Sequence, residues 1–133
     1  MLIRKYEPGS DEAKVMQMLR DQGDEWKCYW TAEHCAKYRD ALRNSITYVA
    51  CENDEICGYS RSLDDCGFYI YVCDLLVKPA YRGRSLGRAL MDCLCQDFPG
   101  QTVFVMSDVD EYYRKQGYRK EGSVFEVTVN QGG

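Results

Sequence analysis

Apolar and polar residues repeat with two different periods along the chain, and these periods predict its helices and strands. Two early segments place apolar residues at helical spacing, and the inward positions are Val15, Met18 and Leu19 in the first and Cys35, Tyr38 and Leu42 in the second. Alternating or uninterrupted apolar runs instead predict strands. The predicted strands cover residues 2–6, 46–52, 55–63, 68–77, 102–106 and 118–129, and the predicted helices begin at Ser10, at Thr31, within residues 82–88 and at about Asp110.

The stretch 68–95 has the strongest pattern. Asp74 is the only charged residue between positions 68 and 77, which favours a strand that is buried on both faces of a partly parallel sheet. Pro79 ends this strand because it has no amide hydrogen to donate. Gly83 and Gly87 then stand among three arginines, and apolar residues at helical spacing follow. The stretch therefore predicts a strand, a glycine-containing turn and a helix in succession.

A strand, a glycine-containing turn and a helix together can bind phosphate. The first turn of a helix has amide groups without partners, and the helix dipole favours negative charge there. Between Leu75 and Met91 the chain has four cations and no acidic residue, although its formal net charge is -4. This local reversal of charge predicts a pyrophosphate site. A tight turn with a solvated basic face is the simpler alternative.

Two other motifs must be considered at the same turn. Residues 83–87 spell G-x-S-x-G, a serine hydrolase motif, but that enzyme needs a histidine after the serine in chain order. The one histidine of the chain, His34, precedes the serine, which argues against a hydrolase. The phosphate-binding motif G-x-x-x-x-G-K-[ST] does not occur in the sequence, which excludes a P-loop.

Length and composition limit the remaining options. The 133 residues predict one domain at 1–130 and a flexible tail at 131–133. The net charge of -4 argues against a nucleic-acid partner. No apolar run reaches the length of a membrane span and the N-terminus is too polar for a signal peptide, so we expect a cytoplasmic protein without a membrane partner. The eight cysteines lack C-x-x-C spacing, so we expect reduced thiols and no metal.

Two motifs resemble those of the GCN5-related N-acetyltransferases (GNAT). Residues 82–87, Arg-Gly-Arg-Ser-Leu-Gly, are similar to the acetyl-coenzyme A loop of this family, Gln/Arg-x-x-Gly-x-Gly/Ala, with Ser85 in place of the middle glycine. Residues 113–118, YRKQGY, resemble the family pattern Tyr-x-x-x-Gly-Phe/Tyr, without the asparagine that often precedes that helix. The predicted order β-α-α-β-β-β-α-β-α-β is also that of the family. The variant motifs are similar to those of a group of small bacterial members.

The resemblance implies a fold and a cofactor site. The fold would be α/β, with a mixed sheet whose parallel strands 68–77 and 102–106 splay apart around acetyl-coenzyme A (acetyl-CoA). The pantetheine arm would pair with the backbone of Leu75, Leu76 and Val77 like an added strand. The residues expected around the pyrophosphate are Arg82, Gly83, Arg84, Ser85, Leu86, Gly87 and Arg88.

Two side chains are candidates for catalysis. Tyr113 matches the family tyrosine at the coenzyme A sulfur and would protonate the leaving thiolate, with packing on the cofactor as the alternative role. Asp74 would accept the proton of the amine, because burial makes a carboxylate a stronger base. An ion pair with Arg61 or a hydrogen bond at a bulge would equally account for Asp74, and water could deprotonate the amine instead.

The predicted reaction is transfer of an acetyl group from acetyl-CoA to a primary amine by direct attack in a ternary complex. The acceptor stays open between a small amine, an amino acid, an antibiotic and a peptide terminus. Residues that could line its side of the site are Asp64, Asp65, Trp26, Trp30, Tyr69 and Tyr71. The alternative function is a non-catalytic CoA-binding sensor or scaffold of the same fold. An exposed strand edge could pair two subunits into a homodimer.

Overall fold

The computed structural model describes residues 1–129 of the chain. The strands are β1 (Leu2–Lys5), β2 (Ile46–Glu52), β3 (Glu55–Asp64), β4 (Tyr69–Val77) and β5 (Thr102–Val105). The helices are α1 (Pro8–Asp21), α2 (Lys27–Trp30), α3 (Cys35–Asn44), α4 (Leu86–Asp97) and α5 (Asp110–Lys115), with short 3₁₀ turns at Gly23–Trp26 and Pro79–Tyr81. Within residues 1–129, every helix is too short or too polar to cross a membrane.

The five strands form one mixed sheet in the order β1-β2-β3-β4-β5. The first four strands are antiparallel to their neighbours, and Asn53 and Asp54, both with positive φ, form the tight turn between β2 and β3. Strands β4 and β5 are parallel and are connected through α4. The predicted α/β fold class with a mixed sheet and a parallel strand pair is confirmed, but within residues 1–129 the pair lies at one edge of the sheet and not at its centre.

Helices cover both faces of the sheet, and each face has its own apolar cluster. On one face, α1 and α3 pack on β2, β3 and the end of β4 through residues such as Leu19, Leu42 and Tyr59. We call this the α1–α3 face. On the other, the α4 face, Leu90 packs against Val72 and its neighbours. Burial of one such leucine side chain contributes about 2 kcal/mol, so the two clusters hold the sheet between the helices.

Helix α1 begins earlier than the sequence indicated. Pro8 occupies its first turn, where an amide hydrogen would have no helical partner, so the predicted cap Ser10 lies inside the helix. Asp11 accepts a hydrogen bond from the amide of Glu7 at 2.7 Å and pairs with Arg4 at 2.7 Å. The buried carboxylate therefore caps the helix and connects it to β1.

The second helix begins later than the sequence predicted, and a shorter helix precedes it. Thr31 is extended and ends α2, and α3 begins only at Cys35. The carbonyl of Thr31 accepts from the amides of His34 and Cys35, at 3.0 and 2.8 Å, which forms a turn between the two helices. Tyr38 and Leu42 are buried as predicted, while Cys35 is only half-buried.

The last predicted strand is wrong. Residues 118–129 have no regular secondary structure, and their apolar side chains are exposed, with Val127 at 94%. Alternation predicts what a strand would bury once it is paired, but in residues 1–129 this segment pairs with no other strand. Positions 131–133, expected to form a flexible tail, lie outside the described residues.

Candidate active site

The sheet splits between its two parallel strands, and the candidate site is centred on this split. Strands β4 and β5 are paired up to Val72 and Val105. Beyond that point β5 ends, while β4 continues to Val77 without a partner on that side among residues 1–129. The free edge of residues 73–77 leaves backbone groups available to an extended ligand.

A β-bulge lies where the split begins. Arg61 is opposite Asp74, whereas the next residue, Ser62, is opposite Val72, so Cys73 is the extra residue of β4. Val72 packs on the α4 face, and the bulge turns Asp74 towards the opposite face, where it meets α2 and α3. The sequence did not reveal the bulge, because a single extra residue in a continuously apolar strand leaves the pattern unchanged.

The N-terminus of α4 lies at the same end of β4. Ala89 donates to the carbonyl of Ser85 at 3.0 Å, and no group in residues 1–129 accepts from the amides of residues 86–88. The first turn contains no acidic residue. Gly83 and Ser85 have φ of 83° and 59°, so the turn before the helix is left-handed at both. Free amides of this kind can donate to a phosphate group, and the phosphate site at this turn stays a prediction.

The three arginines of this turn are exposed, but each has a partner. Their partners are the Val77 carbonyl for Arg82 at 3.1 Å, Glu52 for Arg84 at 3.7 Å, and the Gln116 carbonyl for Arg88 at 2.8 Å. The long, exposed Arg84–Glu52 pair is weak and can give way to a stronger anion. Arg88 instead connects α4 to the end of α5.

Asp74 is almost fully buried, and both its oxygens are engaged. Oδ1 accepts from the Tyr29 hydroxyl at 2.6 Å. Oδ2 accepts from the Tyr38 hydroxyl at 2.7 Å and from Arg61 Nε at 2.6 Å. The ion pair with Arg61, one of the two structural explanations for this carboxylate, is therefore present, and Tyr38 extends the network to Tyr59 at 2.7 Å.

Three phenols of this network stay protonated at neutral pH. Burial, and then the nearby Asp74 carboxylate, raise the pKa of Tyr29 and Tyr59 above the ordinary range. Burial, followed by the adjoining Tyr59 and Asp74, has the same effect on the pKa of Tyr38. The network consequently presents hydroxyl donors to one carboxylate and ties α2, α3, β3 and β4 together at the bulge.

Tyr113, the predicted general acid, lies on α5 just beyond β5. Its side chain is half-buried, and its ring is 5.0 Å from that of Tyr112 and 6.3 Å from that of Tyr118. Burial, followed by the neighbouring Tyr112 and Asp108, raises the pKa of Tyr113 to about 12. The phenol is therefore protonated at neutral pH, the state that a proton donor needs.

Tyr112, which no sequence motif singled out, contacts the N-terminus of α4. Its hydroxyl occupies the position that a Cβ atom on Gly87 would take, and Leu75 approaches the same position to 3.7 Å. A Cβ at Gly87 would therefore displace the end of the Tyr112 side chain, which is 38% exposed, and only a structure could show that contact.

Three aromatic side chains form a group on the α1–α3 face of β4 and β5. Tyr69 stacks on Phe104 with 5.3 Å between ring centroids, and Tyr71 lies 5.9 Å from Phe104. We call Tyr69, Tyr71 and Phe104 the aromatic patch. The sequence indicated the two tyrosines as possible walls of the acceptor site. It did not indicate Phe104, because an aromatic residue in an apolar strand is typical of a core. Asp64 and Asp65 instead accept amide hydrogen bonds in the turn before β4.

The remaining polar candidates show no further chemistry. In residues 1–129, no three His, Cys, Asp or Glu side chains are grouped so as to hold a metal ion. All eight cysteines are free thiols, of which Cys51 and Cys57 are buried. His34 is exposed and lies 3.8 Å from Glu33.

The mixed sheet splits beside the N-terminus of α4, so this α/β protein has a free strand edge and free helix amides at the same end of β4. Residues 43–120 match the family model of the acetyltransferase (GNAT) domain. The chain therefore belongs to the GNAT acetyltransferase family, as the two motifs indicated.

Among curated relatives, histone acetyltransferase TAP1 of Glycine max is 26% identical over 148 residues, which cover 91% of this chain and 63% of the relative. The N-acetyltransferase ycf52 of Porphyra purpurea is 28% identical over 102 residues, covering 69% and 59%. The chain spans about three fifths of the length of such relatives. They come from a plant and an alga, so membership of a bacterial group stays a prediction.

Solved structures share the fold over nearly the whole chain. A GNAT-family acetyltransferase of Streptococcus pneumoniae has a TM-score of 0.71 and 25% identity, covering 98% of both chains. An aminoglycoside acetyltransferase from an uncultured soil metagenomic sample has a TM-score of 0.73 and 23% identity, covering 97% of this chain and 98% of its own. At this identity the second likeness concerns the fold alone.

Proposed function

We propose that this chain is an acetyl-CoA-dependent N-acetyltransferase that transfers the acetyl group directly to a primary amine. The observation that carries the proposal is the split between β4 and β5 with the free amides of residues 86–88 at its end. A free strand edge followed in the chain by free helix amides is complementary to an extended amide-containing arm that ends in a pyrophosphate.

The proposal gives the predicted cofactor residues separate tasks. The backbone of Leu75, Leu76 and Val77 would bind the pantetheine arm, and Arg82 and Arg84 would lie beside the pyrophosphate. The amides that follow Ser85 would donate to the phosphate oxygens. Ser85 keeps its own amide although it replaces the family glycine, so the number of donors is unchanged.

Acetyl-CoA would supply an activated acyl group as a thioester. In the transfer, the lone pair of the amine nitrogen forms the new C–N bond, the C–S bond breaks, and its electrons leave on sulfur. Tyr113 would protonate that sulfur and recover its proton from solvent, and the nitrogen loses one proton to complete the amide. The raised pKa keeps the Tyr113 phenol protonated at neutral pH, as a donor must be, but it also makes the phenol a weaker acid than the departing thiol.

The amine must also lose a proton to a base. Asp74 remains the predicted base, but its oxygens accept hydrogen bonds from Tyr29, Tyr38 and Arg61, which favours a positioning role for the carboxylate. We therefore give water the proton transfer and Asp74 the task of holding β4 at the bulge.

Calorimetric titration and turnover test the proposal together. Acetyl-CoA should bind the wild-type protein with micromolar affinity, and Arg84→Glu should weaken binding at least tenfold, about 1.4 kcal/mol. Arg20→Glu, the same reversal on an exposed part of α1, should leave binding unchanged. Tyr113→Phe should bind acetyl-CoA normally and lose at least about tenfold in kcat.

The outcomes separate the enzyme from the alternative. Turnover of an amine that depends on Tyr113 would exclude a CoA-binding sensor. Tight binding of acetyl-CoA without turnover of any amine would favour the sensor. A wild-type protein that does not bind acetyl-CoA would overturn both functions.

A further inference from the structure

One face of the parallel strand pair is open. Helix α4 covers the face on which Ile70 and Val72 lie. On the opposite side, the apolar cluster of α1 and α3 includes Leu76 but none of Tyr69, Tyr71 or Phe104, the aromatic patch. An acceptor can therefore approach the split across the α1–α3 face. The inference that follows rests on the proposed function, because it takes the split as the place of reaction.

The aromatic patch borders the split on this open face. Tyr71 and Phe104 are opposite each other in register, one residue before the paired strands separate. Tyr69 is 41% exposed, and Leu63, beside Tyr71, is 46% exposed. Three residues of strand span about 10 Å, so the patch extends roughly that far from the split. Aromatic faces bind organic cations, which sets them apart from an ordinary apolar wall.

The surroundings of the aromatic patch are acidic. Residues 62–73 contain Asp64 and Asp65, residues 98–109 contain Asp108, and neither segment contains Lys, Arg or His. Asp64 and Asp65, in the turn before Tyr69, accept hydrogen bonds from amides only. No ion pair within residues 1–129 involves Asp64, Asp65 or Asp108. Uncompensated carboxylates thus lie before β4 and after β5, at either end of the patch.

We propose that the acceptor is an aliphatic diamine or polyamine, one amine of which is acetylated at the split while a second ammonium group lies over the aromatic patch. The carboxylates at the two ends attract such a cation from a distance, and the aromatic faces bind it at close range. A monoamine of similar length has no second ammonium group and gains neither interaction at its far end. An acceptor with a carboxylate at its far end would be repelled.

Three acceptors of equal length test this proposal: 1,5-diaminopentane, pentylamine and 5-aminopentanoate. Each is titrated calorimetrically into the protein saturated with CoA, and kcat/KM is measured with acetyl-CoA as donor. We expect 1,5-diaminopentane to exceed pentylamine about five- to thirtyfold in both measurements, with 5-aminopentanoate last. The preference should shrink as salt screens the carboxylates.

A matched pair of variants assigns the preference to the patch. Phe104→Leu should reduce the ratio of kcat/KM for 1,5-diaminopentane over pentylamine about fivefold. Phe68→Leu makes the same change at an aromatic residue that is 75% exposed and lies outside the patch, and it should keep the wild-type ratio. Thermal melting of both variants shows whether they are folded.

The inference is overturned if pentylamine and 1,5-diaminopentane bind equally, or if Phe104→Leu leaves their ratio unchanged. Phe104→Leu could also leave the ratio of kcat/KM unchanged while it lowers the melting temperature or dissociates a dimer. That result would mean that the C-terminal segment or a second copy covers the aromatic patch. If acetyl-CoA binds but none of the three amines does, the inference fails and the CoA site stands. If acetyl-CoA does not bind, the proposed function itself fails.

Discussion

At the scale of single residues, Ser85 shows how one backbone angle changes the meaning of a motif. The family pattern expects glycine at this position, and the φ of 59° explains why. A left-handed conformation costs an L-residue about 1–2 kcal/mol, whereas glycine adopts it freely. The sequence identified Ser85 as a departure from the pattern but could not reveal that the departure strains the backbone.

Ser85→Gly should therefore stabilise the protein and strengthen CoA binding. The relief of strain exceeds the extra unfolded-state entropy of glycine, so we expect a gain of up to about 1 kcal/mol in the free energy of unfolding. Urea unfolding measures it, and calorimetry follows acetyl-CoA. Ser85→Ala retains the Cβ and the strain, so an equal gain in that control would contradict the backbone explanation.

Asp74→Asn separates the two roles that the sequence left open for this residue. Removal of one partner of the buried Asp74–Arg61 pair leaves the guanidinium uncompensated, so we expect a loss of about 3 kcal/mol in the free energy of unfolding. The variant Asp74→Asn/Arg61→Met should lose less than the sum of its single changes. If Asp74 is instead a general base, Asp74→Asn should leave the stability in urea unchanged and lower kcat sharply.

At the scale of elements, periodicity and turn residues predicted most boundaries. The Asn53–Asp54 turn and strand β2 lie where the sequence placed them, because alternation and turn chemistry are local signals. Elsewhere, long-range contacts override the secondary structure that the local sequence pattern predicts. Thr31 is not the N-cap of α3, and residues 118–129 alternate like a strand without joining the sheet. The split itself was foreseen only through the family resemblance.

Gly58→Ala tests how closely β3 and β4 are packed where β4 borders the split. A Cβ on Gly58 would lie 2.8 Å from the carbonyl oxygen of Leu76, a backbone atom that cannot move alone. We expect a loss of about 1–3 kcal/mol by urea unfolding. Gly9→Ala is the matched control, because nothing lies within 4 Å of its added Cβ, and alanine favours helix α1. Equal losses in both variants would contradict close packing.

At the scale of the whole molecule, buried phenols make stability depend on alkaline pH. Burial is the first cause of the raised pKa of Tyr6 and Tyr113, to about 12 in each, and of Tyr38 and Tyr59 beyond the ordinary range. A group whose pKa is higher in the folded state holds its proton more tightly there. Its contribution is therefore complete below the unfolded pKa near 10 and is lost as the pH rises above it.

The protein should accordingly unfold at alkaline pH together with the ionisation of these tyrosines. Tyr38 and Tyr59, both almost fully buried, each add a slope of about 1.4 kcal/mol per pH unit above pH 10. The urea midpoint should be flat from pH 7 to 9 and fall steeply beyond pH 10. Absorbance at 295 nm, which follows tyrosine ionisation, should show that the buried tyrosines ionise only when the circular dichroism of the folded protein is lost. Titration of all eleven tyrosines in one phase near pH 10, with the fold retained, would contradict the network at Asp74. Because that network ties α2 and α3 to the bulge of β4, its failure at high pH should also abolish acetyl-CoA binding in the same transition.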